Sequence, residues 1–187
     1  QRQMCIRDSC EPASSPPRTR CSARRYDGDA MRNAEVIVAS TRASQGIYQD
    51  KSGPIAVEFL RGMDLRTPDA TVVADADIDA AVRDAIARRP SVVLISGGTG
   101  VSPDDRTVEA VAAHVDRELP GIAHAFYQQG LASTPTAILS RTVAGITQRG
   151  TFIMALPGSR GGVQDGCAVL APILPHLLDQ LEGNHAH

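Results

Sequence analysis

Val92-Val93-Leu94-Ile95-Ser96-Gly97-Gly98-Thr99-Gly100-Val101-Ser102-Pro103-Asp104-Asp105-Arg106-Thr107 is the stretch that decides the fold. Its first four residues are uniformly apolar, the pattern of a strand buried on both faces. Three glycines then free the backbone to turn sharply and to approach a ligand, because no Cβ stands in the way. Two carboxylates follow, and Thr107 is placed as the N-cap of the next helix. A strand end, glycines, acids and a helix start, in that order, suit an anionic ligand held with a metal ion. The stretch lacks the Gly-Lys-Ser/Thr of the Walker loop and the Gly-x-Gly-x-x-Gly of the dinucleotide fingerprint. A plain turn built from Gly and Asp is the other reading of these residues alone.

A second stretch repeats the arrangement. Thr151-Phe152-Ile153-Met154-Ala155-Leu156 reads as a buried strand and runs into Pro157-Gly158-Ser159-Arg160-Gly161-Gly162. An apolar-periodic helix follows, carrying Val163, Cys167, Leu170, Ile173 and Leu174. Amides at a helix start, and the dipole behind them, favour negative charge. In a parallel sheet both loops leave from the carboxyl edge, where open α/β folds bind ligands.

Outward from these loops the chain alternates strands and helices. Val36-Ile37-Val38-Ala39 is a first buried strand, followed by a loop over 40–52 and a helix from Pro54 through Leu60. Thr71-Val72-Val73-Ala74 is a short edge strand, and 77–88 is an amphipathic helix with Ile78, Ala81, Val82, Ala85 and Ile86 on one face. Helices are predicted over 107–117 and 121–130. The segment 135–146 fits strand or helix equally, and one long helix is expected to run to Leu181. The predicted fold class is therefore α/β, a doubly wound, mainly parallel sheet with helices on both faces.

Composition sets the outer limits. The 187 residues suit one domain, and a 42% hydrophobic content supports a core that must be aliphatic, with no Trp and only three Phe and three Tyr. A net charge of −2 argues against a general nucleic-acid binder. No apolar run reaches the roughly 20 residues of a membrane helix. Residues 1–32 are rich in Arg, Ser and Pro and are expected to be a disordered or non-native extension. The opening Gln1-Arg2-Gln3-Met4-Cys5-Ile6-Arg7-Asp8-Ser9 resembles translated sequencing-adapter contamination, and translation is expected to start at Met31. Cys5, Cys10 and Cys21 lack the paired spacing of a zinc site. The α/β domain is placed at 33–183, with a disordered tail over 184–187. Cys167, on the apolar face of its helix, is compatible with a reducing cytoplasm.

Polar, small or acidic residues stand at the carboxyl end of every predicted strand: Ser40-Thr41-Arg42, Asp75, the Gly97 loop with Asp105, and Pro157-Gly158-Ser159. Asp75 and Asp105 are the pair able to hold magnesium, which takes one or two carboxylates plus phosphate oxygens and water. Asp75 also reads as a cap for the helix beginning near Asp77. Asp104 reads as solvated and Arg42 as a surface charge. His114, His124 and His176 read as structural, and Ser96 and Ser159 have no histidine partner that would make them nucleophiles.

Taken together, the motifs resemble those of the MogA/MoaB molybdenum-cofactor biosynthesis proteins, related to domains in gephyrin and MoeA. The matching residues are Ser40-Thr41-Arg42-Ala43-Ser44 with Gly46 and Tyr48-Gln49-Asp50, then Ser96-Gly97-Gly98-Thr99-Gly100 through Asp105 and Thr107. Arg117-Glu118-Leu119-Pro120-Gly121, Leu139-Ser140-Arg141 and Leu156-Pro157-Gly158-Ser159 complete the set. The resemblance covers the chain from Glu35 onward. It implies a molybdopterin-binding α/β domain, a homotrimer, and in the MogA branch transfer of AMP from ATP to the pterin's terminal phosphate. That reaction uses magnesium, releases pyrophosphate and supplies a MoeA-type molybdate insertase. The family's functional aspartates fall on Asp75 and Asp105, as catalytic residues and metal ligands. Its pterin- and nucleotide-binding loops fall on Gly97, Gly98, Thr99 and Gly100, with Ser96 at their head, and on Pro157, Gly158 and Ser159.

Three positions depart from the family pattern. Thr41 stands where many members have Asp, Ala74 where proline is common before Asp75, and Arg160 where many continue with Pro. Both proposed catalytic carboxylates are retained. The same resemblance leaves a second reading open, a non-catalytic MoaB-like pterin-binding or carrier protein, and a third, an oligomeric scaffold for other cofactor proteins.

Overall fold

A computed structural model describes residues 31–183. The expectations for residues 1–30, including Cys5, Cys10 and Cys21, and for the 184–187 tail lie outside the described residues.

Among the described residues six strands form one sheet, in the order β2-β1-β3-β6-β5-β4. They are β1 (Ala34–Ala39), β2 (Thr71–Val73), β3 (Val92–Ser96), β4 (Val115–Glu118), β5 (Ala144–Thr147) and β6 (Phe152–Leu156). β2, β1, β3 and β6 run parallel, while β5 is antiparallel to β6 and β4 antiparallel to β5. The doubly wound α/β class stands, with a mixed sheet whose far edge is antiparallel.

Strand alternation sorts the core into two layers. Val36, Val92, Leu94, Phe152, Met154 and Leu156 pack on one face. There they meet α2 (Gly53–Gly62), α5 (Pro120–Leu131), α6 (Arg160–Leu170) and α7 (Leu174–Glu182). Ile37, Ala39, Val93, Ile95, Ile153 and Ala155 pack on the other face, under α3 (Ile78–Ala87) and α4 (Thr107–Ala112). Every residue of β3 and β6 is buried, which is why both read as unbroken apolar runs. Each buried Leu, Ile or Phe contributes about 1.5–3 kcal/mol of transfer free energy.

The helices follow from their spacing. In α3 the buried residues Ile78, Val82, Ala85 and Ile86 recur every three to four positions. α2 begins with Pro54 in its first turn, where a missing amide costs nothing. Ser159 caps α6 by accepting from the Gly162 amide at 3.1 Å. Arg32 ties the start of the domain to its last helix, bonding Glu182 and Asp179 at 2.5–2.8 Å; these carboxylates raise the affinity of the guanidinium for its proton.

Four local expectations change. The helix predicted over 107–117 stops at Ala112, and Val115–Glu118 is a strand instead. Its edge position leaves Asp116, Arg117 and Glu118 exposed, so it carried no apolar alternation to read. The ambiguous 135–146 segment divides into a 3₁₀ turn (Pro135–Leu139) and β5. Gly145 allows β4 to lie close, since a Cβ there would stand 2.8 Å from the Arg117 carbonyl oxygen. The single long C-terminal helix is broken at 171–173. Pro175 cannot bond the Ala171 carbonyl four residues back and its ring would strike it, so the helix restarts with Pro175 in its first turn. Finally, the 40–52 loop contains the one-turn helix α1 (Thr41–Ser44), capped by Ser40, whose side chain accepts from the Ala43 amide at 3.2 Å.

Candidate functional site

β2 lies to one side of β1, and the chain returns through β3 to the other side. The carboxyl ends of β1 and β3 therefore flank a topological switch point, where connections diverge and leave a crevice. A cavity of about 630 Å³ opens there. Gly97, Gly98, Thr99, Gly100, Pro157, Gly158 and Ser159 line it together with Asp75 and Asp105. Ser96 alone among the sequence-predicted site residues does not. It is 1% exposed and donates its hydroxyl to the Pro157 carbonyl at 3.1 Å, joining the two loops from behind.

The two glycine loops are packed on each other. The Gly97 amide donates to the Leu156 carbonyl at 2.9 Å, extending the β3–β6 pairing by one residue. A Cβ on Gly158 would sit 3.2 Å from the Gly97 Cα. Gly97 has φ +100°, and a Cβ there would collide with the Ala39 carbonyl oxygen of the neighbouring strand. Glycine is required at 97 on both counts.

Asp75 does not cap the following helix. Neither it nor Asp77 makes a side-chain cap bond. Its carboxylate turns across to the end of β1, where Oδ2 accepts from the Thr41 hydroxyl at 2.7 Å and from the Thr41 amide at 3.0 Å. Asp105 is held by its own loop, Oδ2 accepting from the Ser102 amide at 3.0 Å. Among the described residues no hydrogen bond engages Oδ1 of either aspartate.

That donor set fits magnesium. Each carboxylate has one oxygen fixed by the protein and one unengaged, and magnesium takes one or two carboxylates and completes its shell with phosphate oxygens and water. No cluster of three or more His, Cys, Asp or Glu suited to a metal occurs among the described residues. Asp50 also lines the cavity. Its carboxylate is already committed to the start of α2, accepting from the Ser52 amide and hydroxyl and from the Gly53 amide at 2.7–2.9 Å.

Leu139 and Ser140 also line the cavity, and Arg141 beside them braces the glycine loop. Arg141 donates to the carbonyl oxygens of Gly100 and Asp105, each at 2.7 Å, and pairs with Glu109. Its own amide donates to the Thr99 carbonyl at 2.8 Å. The Arg141 hydrogen bond holds the Glu109 carboxyl below the usual carboxylate range. Ser140 reaches the Thr99 hydroxyl at 3.0 Å and the Thr142 hydroxyl at 3.1 Å, giving the cavity a polar side wall. The available signal was the Leu139-Ser140-Arg141 motif, but its contact with the glycine loop is made across 36 to 41 residues. Arg42 lines the cavity as an exposed cation, and Tyr48 and Leu139 give it an apolar rim.

Thr107 is the first residue of α4 and not its N-cap; Arg106 occupies the cap position. The Thr107 amide bonds the Gly98 carbonyl at 3.1 Å, and its hydroxyl, buried beside Gly98, has no partner among the described residues. His124 and His176 each meet a glutamine one turn along their own helix. Cys167 is buried, and desolvation pushes its thiol up to about 11. No helix among the described residues is long and apolar enough to cross a membrane.

Residues 35–176 match the family described as a probable molybdopterin binding domain. The molybdenum cofactor biosynthesis bifunctional protein of Synechococcus elongatus is 41% identical over 152 residues, covering 80% of this chain and 47% of that protein. The chain thus spans about half the length of the bifunctional relatives it matches. The molybdopterin adenylyltransferase of Escherichia coli is 34% identical over 138 residues, 70% of this chain and 69% of that protein. Among solved structures, the molybdopterin biosynthesis Mog protein from Mycobacterium ulcerans aligns with a TM-score of 0.75 at 44% identity, covering 80% of this chain and 99% of that one. With its motifs in order, its sheet matched and its switch-point cavity lined by the same motifs, the chain belongs to the MogA/MoaB family of molybdenum cofactor biosynthesis proteins.

Proposed function

We propose that this chain transfers AMP from ATP to the terminal phosphate of molybdopterin. The observation that carries the reading is the convergence of Asp75, Asp105 and both glycine loops on one cavity. An oxygen of the pterin's phosphate attacks the α-phosphorus of ATP, a new P–O bond forms, and the bond to the β-phosphate breaks to release pyrophosphate. The protein's part in such a reaction is positioning and charge stabilisation. Bound magnesium would supply neutralising charge to the triphosphate, held by Asp75 and Asp105 through their unengaged oxygens.

The remaining residues position anions. Amides of the loop over 97–100 and of the α6 start, with the Thr99 and Ser159 hydroxyls, offer donors to phosphate oxygens. Arg42 adds a positive charge at the mouth of the cavity. Arg160, exposed at the first turn of α6, brings a second cation. The adenylylated pterin would pass to a MoeA-type molybdate insertase, with this chain acting as a homotrimer in the cytoplasm. A reducing compartment suits the buried Cys167, which is in no disulfide among the described residues.

The test is magnesium-dependent pyrophosphate release from ATP, with and without molybdopterin. Release that requires the pterin is the expected result. Tight pterin binding without release would move the chain to the carrier reading.

A further inference from the structure

We propose that Thr41 is the positioning residue of Asp75, fixing one carboxylate oxygen so that the other is presented to the cavity. The inference rests on the adenylyl-transfer reading for its functional consequence, and on geometry alone for the contact. β1 and β2 pair in parallel, with Ala39 opposite Val73, and the Ser40 amide still bonds the Val73 carbonyl at 2.9 Å. Two residues on, the same register brings Thr41 opposite Asp75. There the backbone ladder is replaced by a side-chain clasp. The Thr41 hydroxyl donates to Asp75 Oδ2 at 2.7 Å, the Thr41 amide donates to the same oxygen at 3.0 Å, and the Asp75 amide lies 3.2 Å from the Thr41 hydroxyl oxygen as a donor to it.

These three bonds close a ring between two chain segments 34 residues apart. A hydroxyl is suited to it because it both donates and accepts. A carboxylate at 41 would have no proton to donate to Asp75 when ionised. This chain therefore secures its first aspartate by a neutral group and adds no further negative charge beside it. A carboxylate with one oxygen doubly hydrogen-bonded is held in a single orientation, and misplacement of a catalytic group by about 1 Å can cost about a hundredfold in rate. The remaining oxygen is the one left for a cation or a phosphate-bound water.

Thr41→Val removes the hydroxyl and preserves shape, and Thr41→Ser preserves the hydroxyl. In pyrophosphate-release assays Thr41→Val is expected to lower kcat by about ten- to a hundredfold with KM for molybdopterin within about twofold. Thr41→Ser is expected to recover most of the loss. By calorimetry, magnesium-dependent ATP binding should weaken in Thr41→Val and return in Thr41→Ser. If the unaltered chain releases no pyrophosphate, the adenylyl-transfer reading fails, and the clasp is then judged by crystal structures of the two variants. An Asp75 carboxylate that keeps its orientation in Thr41→Val overturns the proposal whatever the activity. So does a Thr41→Ser variant as impaired as Thr41→Val.

Discussion

The Arg141 guanidinium donates to the Asp105 carbonyl oxygen at 2.7 Å, fastening the end of the glycine-and-acid loop to the segment that precedes β5. The same side chain holds the Gly100 carbonyl, so the loop is gripped at both sides of Asp105's turn. Arg141→Ala is expected to destabilise the fold by about 2 kcal/mol, the scale of losing charged hydrogen bonds to two carbonyls. The loosened loop should also lower turnover. Arg141→Lys, a single point donor, cannot reproduce the two-pronged geometry and should recover little activity. Urea midpoints and steady-state rates on the two variants check this.

Asp105→Ala should abolish adenylyl transfer, a loss of about a hundredfold or more, while pterin affinity persists. Asp105→Asn is the sharper variant. It keeps an acceptor for the Ser102 amide, so the loop retains its shape, yet it removes the charge a cation needs. Equal inactivity in both variants with intact pterin binding assigns the role to charge. Unchanged turnover in Asp105→Ala would refute the assignment.

Thr107 provides a test in the opposite direction. Its hydroxyl is buried with no partner among the described residues, a placement that costs about 1–3 kcal/mol of desolvation. Thr107→Val should therefore leave stability unchanged or raise it by about 1 kcal/mol. Were the residue an N-cap, the same change would cost about 1 kcal/mol. A urea titration distinguishes the two signs.

Cys167 gives a pH signature. Burial raises its folded pKa to about 11, against about 8.5 in an unfolded chain. Between those values the native state keeps a proton the unfolded state has lost. Its contribution is complete below about pH 8.5 and decays as pH rises toward about 11. Comparing urea midpoints at pH 8 and pH 10, the unaltered chain should lose more stability than Cys167→Ala does. Thiol labelling at pH 8, read at the Cys167 peptide, should be slow unless urea is present.

Gly97 is the least replaceable loop residue. Gly97→Ala must accept φ +100° and drive the Ala39 carbonyl away. A loss of about 3 kcal/mol or more is expected by thermal or urea unfolding. Gly121→Ala, where a Cβ meets nothing within 4 Å, should be nearly silent.

By itself the sequence determined the parallel half of the sheet and one edge of the site. Strands buried on both faces, such as Val92-Val93-Leu94-Ile95 and Phe152 through Leu156, announce themselves by composition. Gly97 marks a turn and Ser159 a helix start in a pattern legible within a few residues of chain, although the Ala39 carbonyl that also demands glycine at 97 is not. Tertiary structure alone decided the rest. β4 is charged and exposed, and only pairing with β5 makes Val115–Glu118 a strand rather than the end of a helix. Whether Asp75 caps its own helix or crosses to Thr41 depends on a β1–β2 register that no local window contains. Arg141's hold on Gly100 and Asp105 likewise spans 41 and 36 residues. Local propensity is written within a turn or two of chain, whereas hydrogen-bond partners this far apart exist only once the sheet has brought them together.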